Sequence, residues 1–225
     1  MGRPFVYVNM AASVDGKITS SDREYPRLTS AHDRETMDRL RAEADAILVG
    51  AGTARADNPP LHVRSEEMRD YRRSLGKPES LDRVLVSASL DIDPENRFFT
   101  DDGGTRIVAT VEQAPADRVK AIETRAEIWR VGSERVDLVE LLRRLEARGV
   151  GRLLVEGGGE LNWGFLEHDL IDELYVTIAP CLLGGAVAPT LLEGRGLKMA
   201  DQTRLRLIDL HREQDELYCR WAVVR

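Results

Sequence analysis

Residues 138–166, LVELLRRLEARGVGRLLVEGGGELNWGFL, decide the fold class. Leu138, Leu141, Leu142 and Leu145 fall at i, i+3, i+4 and i+7, the apolar stripe of an amphipathic helix. Gly149 stops that helix, and a buried strand over 152–156 follows at once. The cluster Glu156-Gly157-Gly158-Gly159-Glu160 turns the chain, and Leu161, Phe165 and Leu166 begin a second helix. Helix, strand, glycine turn and helix in close succession are the rhythm of an α/β domain with a largely parallel sheet.

The alternation extends upstream. Phe5, Val6, Tyr7, Val8 and Met10 predict a buried strand over 5–10. Residues 30–45 predict a helix, with Ser30 as N-cap, Asp33 and Glu35 in the first turn, and Met37, Leu40 and Ala44 on one face. A strand at 46–50 leads into a polar loop through Asn58-Pro59-Pro60. Strands at 83–87 and 105–110 follow, separated by the turn-rich stretch Asp91–Gly104; then come a weaker helix around 115–123 and a strand at 126–131.

The last third changes character. Residues 172–179 alternate, with Leu174, Val176 and Ile178 on one face and Tyr175 and Thr177 on the other. Two more strands, 204–210 and 216–224, are joined by the polar linker His211–Asp215, the pattern of a hairpin. The expected α/β fold is a mixed, mainly parallel sheet flanked by helices and ending in an antiparallel C-terminal hairpin. No repeat or low-complexity linker interrupts it, so residues 1–225 read as a single domain.

The chain of 225 residues is 42% hydrophobic and 32% charged, with a formal net charge of −7. That apolar share supports a core without disulfides or a structural metal, and recurring apolar runs exclude disorder. No run approaches the roughly 18 apolar residues of a membrane span. Met1-Gly2-Arg3-Pro4-Phe5 leads straight into a strand pattern with no signal peptide, so a cytoplasmic protein is expected. The acidic balance argues against a nucleic-acid partner. Arg69, Arg72, Arg73 and Lys77, interrupted by Glu66, Glu67 and Asp70, make Arg64–Lys77 read as a solvated, mobile surface segment. Cys181 and Cys219 read as reduced core thiols, and with four scattered histidines they give no metal-site spacing. His32 reads as a surface residue and His168 and His211 as connector residues, while Trp129, Trp163 and Trp221 read as core or pocket wall.

Three loops follow strands, where ligands gather in open α/β sheets. The first, Ser13-Val14-Asp15-Gly16-Lys17, also reads as a tight turn with a surface lysine. The second runs from Gly50 to Leu61, with Thr53 and Asp57 one helical turn apart, able to converge on one bound group. The same pattern also fits a short helix capped by Thr53 and ended by Asp57-Asn58-Pro59. The third is the glycine cluster, whose backbone N–H groups at a helix N-terminus suit an anion. It is not the G-x-G-x-x-G fingerprint, and no Walker lysine follows.

Taken together these loops resemble a known family. Ala11-Ala12-Ser13-Val14-Asp15-Gly16-Lys17, the Gly52-Thr53 to Asp57-Asn58-Pro59 loop with Leu61, and Val155-Glu156-Gly157-Gly158-Gly159 are similar to the riboflavin-biosynthesis reductase family. So is Leu170-Ile171-Asp172-Glu173-Leu174 leading to Ala179-Pro180 and Gly184-Gly185. The match keeps its order from Val6 to about Leu192. The resemblance implies a dihydrofolate-reductase-like fold and NADPH-dependent reduction of a ribosylamino group to a ribitylamino group. The implied substrate is a small phosphorylated pyrimidine, 2,5-diamino-6-ribosylamino-4(3H)-pyrimidinone 5′-phosphate. Bacterial relatives are usually fused to a zinc deaminase with H-x-E and P-C-x-x-C motifs. This chain has no P-C-x-x-C motif, which favours the stand-alone, archaeal-type branch in which reduction precedes deamination. The alternatives are the same reduction of the deaminated pyrimidine, a dihydrofolate or pterin reductase, and a nucleotide-binding protein without turnover.

Carried over residue by residue, the resemblance implies that Thr53, Asp57 and Ser87 contact NADPH, with Gly158, Gly159, Glu160, Leu161 and Asn162 along its phosphates. Leu61, Arg64 and Glu156 would line the substrate site, with Ala11, Ser13 and Lys17 nearby. Arg64 and Lys17 are the cations for the substrate's 5′-phosphate. The segment between Lys17 and Leu28 departs from the family, and within it Arg27 is a candidate for the 2′-phosphate of NADPH. Asp57 and Glu156 are the carboxylates expected to assist proton movement, and no metal is expected. A homodimer is expected, with Leu217, Trp221 and Val223 of the hairpin as candidate contacts.

Overall fold

A computed structural model describes residues 2–22 and 28–225, so Arg27 lies outside the described residues. In chain order the first elements are β1 (Phe5–Ser13), α1 (Ala31–Glu43), β2 (Ala46–Gly50), α2 (Ala51–Asp57), α3 (Glu66–Ser74), β3 (Asp82–Val86) and α4 (Arg97–Thr100). Then come β4 (Arg106–Thr110), α5 (Ala116–Ile122), β5 (Glu127–Arg130), α6 (Leu138–Ala147) and β6 (Arg152–Val155). The chain ends with α7 (Gly159–Glu167), β7 (Glu173–Ala179), β8 (Arg204–Glu213) and β9 (Glu216–Val224). It divides into two compact units, Met1–Phe5 with Asp38–Leu154 and Val6–Met37 with Val155–Arg225.

In the first unit the strands run in the order β5-β4-β3-β2-β6. Pairings of β2 with β3, β3 with β4, and β4 with β5 are all parallel. Ile47, Leu48, Val49, Val84, Leu85, Ile107, Val108, Leu153 and Leu154 are fully buried, as expected for strands covered on both faces. Helix α6 buries Leu138, Leu141, Leu142 and Leu145, the stripe read from the sequence, each worth about 1.5–3 kcal/mol. Asp137 caps it by accepting from the Glu140 N–H at 3.0 Å. At its other end Gly149 has φ +90°, a conformation side chains avoid.

Two expectations in this unit hold only in part. Arg64–Lys77 lies at the surface as expected but is not wholly solvated: it contains α3, started by Ser65 accepting from the Met68 N–H at 3.1 Å, and Arg72 is 1% exposed. Of the two readings of the segment after β2, the short helix holds and ends at Asp57 as expected, but it starts at Ala51, with Gly50 rather than Thr53 at the N-cap. Asn58 ends that helix in the left-handed region at φ 41°. The turn-rich stretch before β4 also holds the single turn α4, capped by Asn96, whose Oδ1 accepts from the Phe98 N–H at 3.0 Å.

In the second unit the order is β1-β7-β9-β8. β1 and β7 pair in parallel, then β7, β9 and β8 run antiparallel, so the sheet pairing is mixed and mainly parallel and closes on the expected hairpin. His211 belongs to β8 rather than to a connector, and its ring lies 6.2 Å from that of Tyr218. On β7 the face carrying Glu173, Tyr175, Thr177 and Ala179 is buried, while Leu174, Val176 and Ile178 are half-buried. The polar side chains of this β7 face are matched: Arg220 donates twice to Glu173, at 3.0 Å each, and the Thr177 hydroxyl donates to Asp33 at 2.7 Å. Ser30 caps α1 as expected, accepting from the His32 N–H at 3.2 Å, and Glu216 holds Ser30 in place by accepting from its N–H and hydroxyl. His32 is less free than the sequence suggests, since its ring meets that of Tyr218 edge-on at 5.1 Å. Cys219 is buried and Cys181 half-buried; both are free thiols, so the second is no core residue.

Candidate active site

The first unit presents the carboxyl end of β2 and the helix that follows. Because α2 begins directly after the strand, Thr53 and Asp57 sit one turn apart on one half-buried helix face. The neighbouring Ala54 packs inward, 1% exposed. The end of α2 is held firmly: Asn96 donates to the Ala54 carbonyl at 2.8 Å, and Asn58 Oδ1 accepts from the Arg97 N–H at 2.8 Å. Ser87 lies one residue beyond β3, 5% exposed, and its hydroxyl accepts from the Leu90 N–H at 2.9 Å.

Two charged residues of α1 that the sequence reading passed over fix the segment after α2. Asp38, 4% exposed, accepts from the N–H groups of Arg64 and Ser65 at 3.0 and 2.9 Å. Arg41 donates to the carbonyls of Pro60 and His62 at 2.7 and 3.0 Å. Leu61 and Val63 therefore point inward, while His62 and Arg64 stay half-buried. His62 Nδ1 lies 3.5 Å from Asp101 Oδ2. Burial lowers the His62 pKa below its ordinary value, helped by the Arg41, Arg97 and Arg64 charges and opposed by Asp101.

The second unit contributes the other two loops. Ser13 is 2% exposed; its hydroxyl donates to Asp15 at 2.6 Å and accepts from the Lys17 N–H at 2.9 Å. Ala11 and Lys17 are half-buried, and the Lys17 ammonium donates to the Ala188 carbonyl at 3.0 Å. Asp15 accepts from the N–H groups of Leu183 and Gly184 at 3.1 and 2.6 Å. The Ser13 hydroxyl and these two amides hold its carboxyl down at about 2.

Beyond β6, Glu156 is half-buried and Gly157 has φ +83°, where a Cβ would lie 2.8 Å from Met10 Sδ. Only glycine fits that turn. Helix α7 starts at Gly159 with no side-chain cap, leaving the amides of its first turn open to an anion. Glu160 is exposed, Leu161 half-buried and Asn162 1% exposed, its amide donating to the Leu191 carbonyl at 3.0 Å. The expected residues divide between the units: Thr53, Asp57, Leu61, Arg64 and Ser87 in the first, the Ser13 loop, Glu156 and the glycine turn in the second. Asp15 was the missed anchor; its Asp-Gly pair signalled only a turn, because its amide partners lie far along the chain. Among the described residues no group of three or more His, Cys, Asp or Glu is placed to hold a metal ion.

A 2,5-diamino-6-ribosylamino-4(3H)-pyrimidinone 5′-phosphate reductase of Archaeoglobus fulgidus is 41% identical over 192 residues, 85% of this chain and 87% of that one. The protein of the same name from Methanothermobacter thermautotrophicus is 38% identical over 206 residues, 91% of each chain. The crystal structure of a pyrimidine reductase-like protein from Corynebacterium diphtheriae superposes with a TM-score of 0.84 at 26% identity, over 99% of this chain and 92% of that one. The fold is thus the dihydrofolate-reductase-like one expected from the sequence. The family model of the RibD C-terminal domain matches residues 4–217, and the chain belongs to that family.

Proposed function

We propose that the chain is the NADPH-dependent reductase of 2,5-diamino-6-ribosylamino-4(3H)-pyrimidinone 5′-phosphate, and that its two units act as one reductase domain over residues 1–225. The observation that carries this reading is the identity shared with two archaeal reductases of that name across most of both chains. Each unit by itself offers groups that suit part of a dinucleotide: in the second the uncapped start of α7 suits a phosphate, and in the first the Thr53–Asp57 face offers a hydroxyl and a carboxylate. Gly158, Gly159, Glu160, Leu161 and Asn162, with Thr53, Asp57 and Ser87, would hold it.

Bound NADPH supplies a hydride to C1′ of the opened ribosylamino group. The rest is done by the chain. Arg64 and Lys17 take the 5′-phosphate, the guanidinium through paired N–H groups. Leu61, Ala11 and Ser13 hold the substrate, so positioning supplies most of the rate. Asp57 and Glu156 move a proton from the nitrogen to the ring oxygen as the ring opens, and deliver one to the imine nitrogen as C1′ is reduced.

Exposed Leu205, Leu207, Ile208 and Leu210 lie on the ten-residue outer strand β8, and Leu207 pairs with Trp221 and Leu205 with Val223. An outer strand this apolar supports a homodimer through the hairpin. The free thiols at Cys181 and Cys219 suit a reducing, cytoplasmic setting, and no helix among the described residues is long and apolar enough to cross a membrane. The test follows NADPH oxidation with the diamino-pyrimidinone, its deaminated analogue and dihydrofolate. Turnover of the first over the other two is expected. Preference for the deaminated compound would reverse the order of reactions, and activity with dihydrofolate alone would overturn the reading. Asp57→Asn and Glu156→Gln should each lower kcat by about 100-fold, the usual scale of a lost acid or base.

A further inference from the structure

Between β7 and β8 the chain passes through Cys181–Glu193, a strap whose residues 182–187 are all exposed. Leu182 and Val187 are 74% and 77% exposed, so the strap has almost no apolar burial of its own in this stretch. It is ordered instead by two sets of main-chain clamps.

The first set comes from the Ser13–Lys17 loop. Asp15 receives the N–H groups of Leu183 and Gly184, and the Lys17 ammonium donates to the Ala188 carbonyl. Backbone bonds join Val14 N–H to Cys181 O at 2.9 Å and Ile18 N–H to Pro189 O at 3.0 Å, and Lys17 forms an isolated bridge with Thr190. The second set comes from α7. The Glu193 N–H donates to the Gly159 carbonyl at 3.0 Å, and the Asn162 amide donates to the Leu191 carbonyl at 3.0 Å. Thr190 O lies only 2.5 Å from where a Cβ on Gly159 would stand. Asn162 Oδ1 is buried with no hydrogen-bond partner, so the strap is what orients this carboxamide.

We propose that Asp15 is a positioning residue which, through the strap, sets the start of α7 and thereby the affinity for NADPH. This rests on the NADPH reading above and extends it: the substrate loop and the cofactor loop share one mechanical element. Asp15 remains an anion at every working pH, because its three donors hold its carboxyl at about 2. Replacing it with Asn leaves one carbonyl oxygen and sets an amide N–H₂ against the Gly184 N–H, so the near clamp opens while the charge-free surface stays soluble.

The experiment measures NADPH affinity without substrate, together with amide exchange, in the full chain and in Asp15→Asn, Asn162→Ala and the double variant. Asp15→Asn should weaken NADPH by about tenfold, within the usual range of linked sites. Exchange should quicken at Leu183 and Gly184, and also at Glu193, which Asp15 does not touch. In the Asn162→Ala background the same substitution should cost much less, since that clamp is already gone. Unchanged NADPH affinity, or faster exchange confined to Leu183 and Gly184, would overturn the proposal. An unaltered protein that fails to bind NADPH would sink the cofactor reading instead, and exchange at Glu193 would still decide whether Asp15 reaches α7.

Discussion

Arg72 donates from Nη1 to the main-chain oxygen of Ala42 at 3.1 Å. The same nitrogen reaches the oxygens of Arg41, at 3.3 Å, and Ala44, while Nε donates to Pro78 at 2.5 Å. Arg41 and Ala42 lie in the last turn of α1 and Ala44 just beyond it, so a side chain of α3 satisfies carbonyls at the end of the earlier helix. Arg72→Met should cost about 3 kcal/mol in urea unfolding, because buried carbonyls lose a charged donor. Arg73→Met should cost under about 0.5 kcal/mol, since Arg73 pairs with Glu66, Asp70 and Glu79 at the exposed surface. Equal losses would mean that α3 is held by something other than Arg72.

Gly159 has no room for a methyl group. An added Cβ meets Thr190 O at 2.5 Å and Glu193 Cγ at 2.7 Å, and the backbone oxygen cannot swing aside. Gly159→Ala should raise the KM for NADPH by about tenfold or more through displacement of α7, a shift of about 1.4 kcal/mol. Steady-state kinetics against both substrates would show the effect concentrated on the cofactor.

His62 should titrate below its ordinary value of 6.5. Its pKa is lowered in the folded chain, so the unfolded chain binds the extra proton first as pH falls. Stability is therefore lost as pH drops from about 6.5 through the lower folded value. NMR titration of the ring should give the midpoint, and His62→Gln should flatten the stability profile in that window. A midpoint at or above 6.5 would show that Asp101 outweighs burial and the three arginines.

Leu210 is 54% exposed on β8. If the hairpin is the dimer contact, Leu207→Lys combined with Leu210→Lys should yield a monomer in light scattering with its secondary structure intact. A dimer that survives both charges would place the interface elsewhere.

Elements built on apolar periodicity were legible from sequence. β2 was bounded correctly at 46–50 because every residue from Ala46 to Val49 is buried, and α6 because its leucines carry the stripe. Helix α3 was hidden because its buried anchor is an arginine, a residue that sequence reading assigns to solvent. Its capping serine and its acidic start and basic end were the available signals. Helix α2 was one of two open readings and its start was misplaced at Thr53, because Gly50 and Gly52 read as loop and no side chain caps its start. In the site, glycine chemistry and the Thr53–Asp57 spacing were visible. Asp15, Asp38 and Arg41 were not, because each acts on backbone far from it in sequence.

The strap also has a consequence for how this chain tolerates change. Asp15, Lys17, Gly159 and Asn162 grip it through peptide groups, which every residue type except proline supplies alike. Its composition is therefore nearly free at the exposed positions 182, 183, 186 and 187, whereas Gly184 and Gly185, at φ +65° and +81°, are constrained and so is the strap's length. Deleting one residue between Gly184 and Ala188 would slide the lysine's carbonyl out of reach while the aspartate kept its amides. The strap works as a ruler, measured in peptide units.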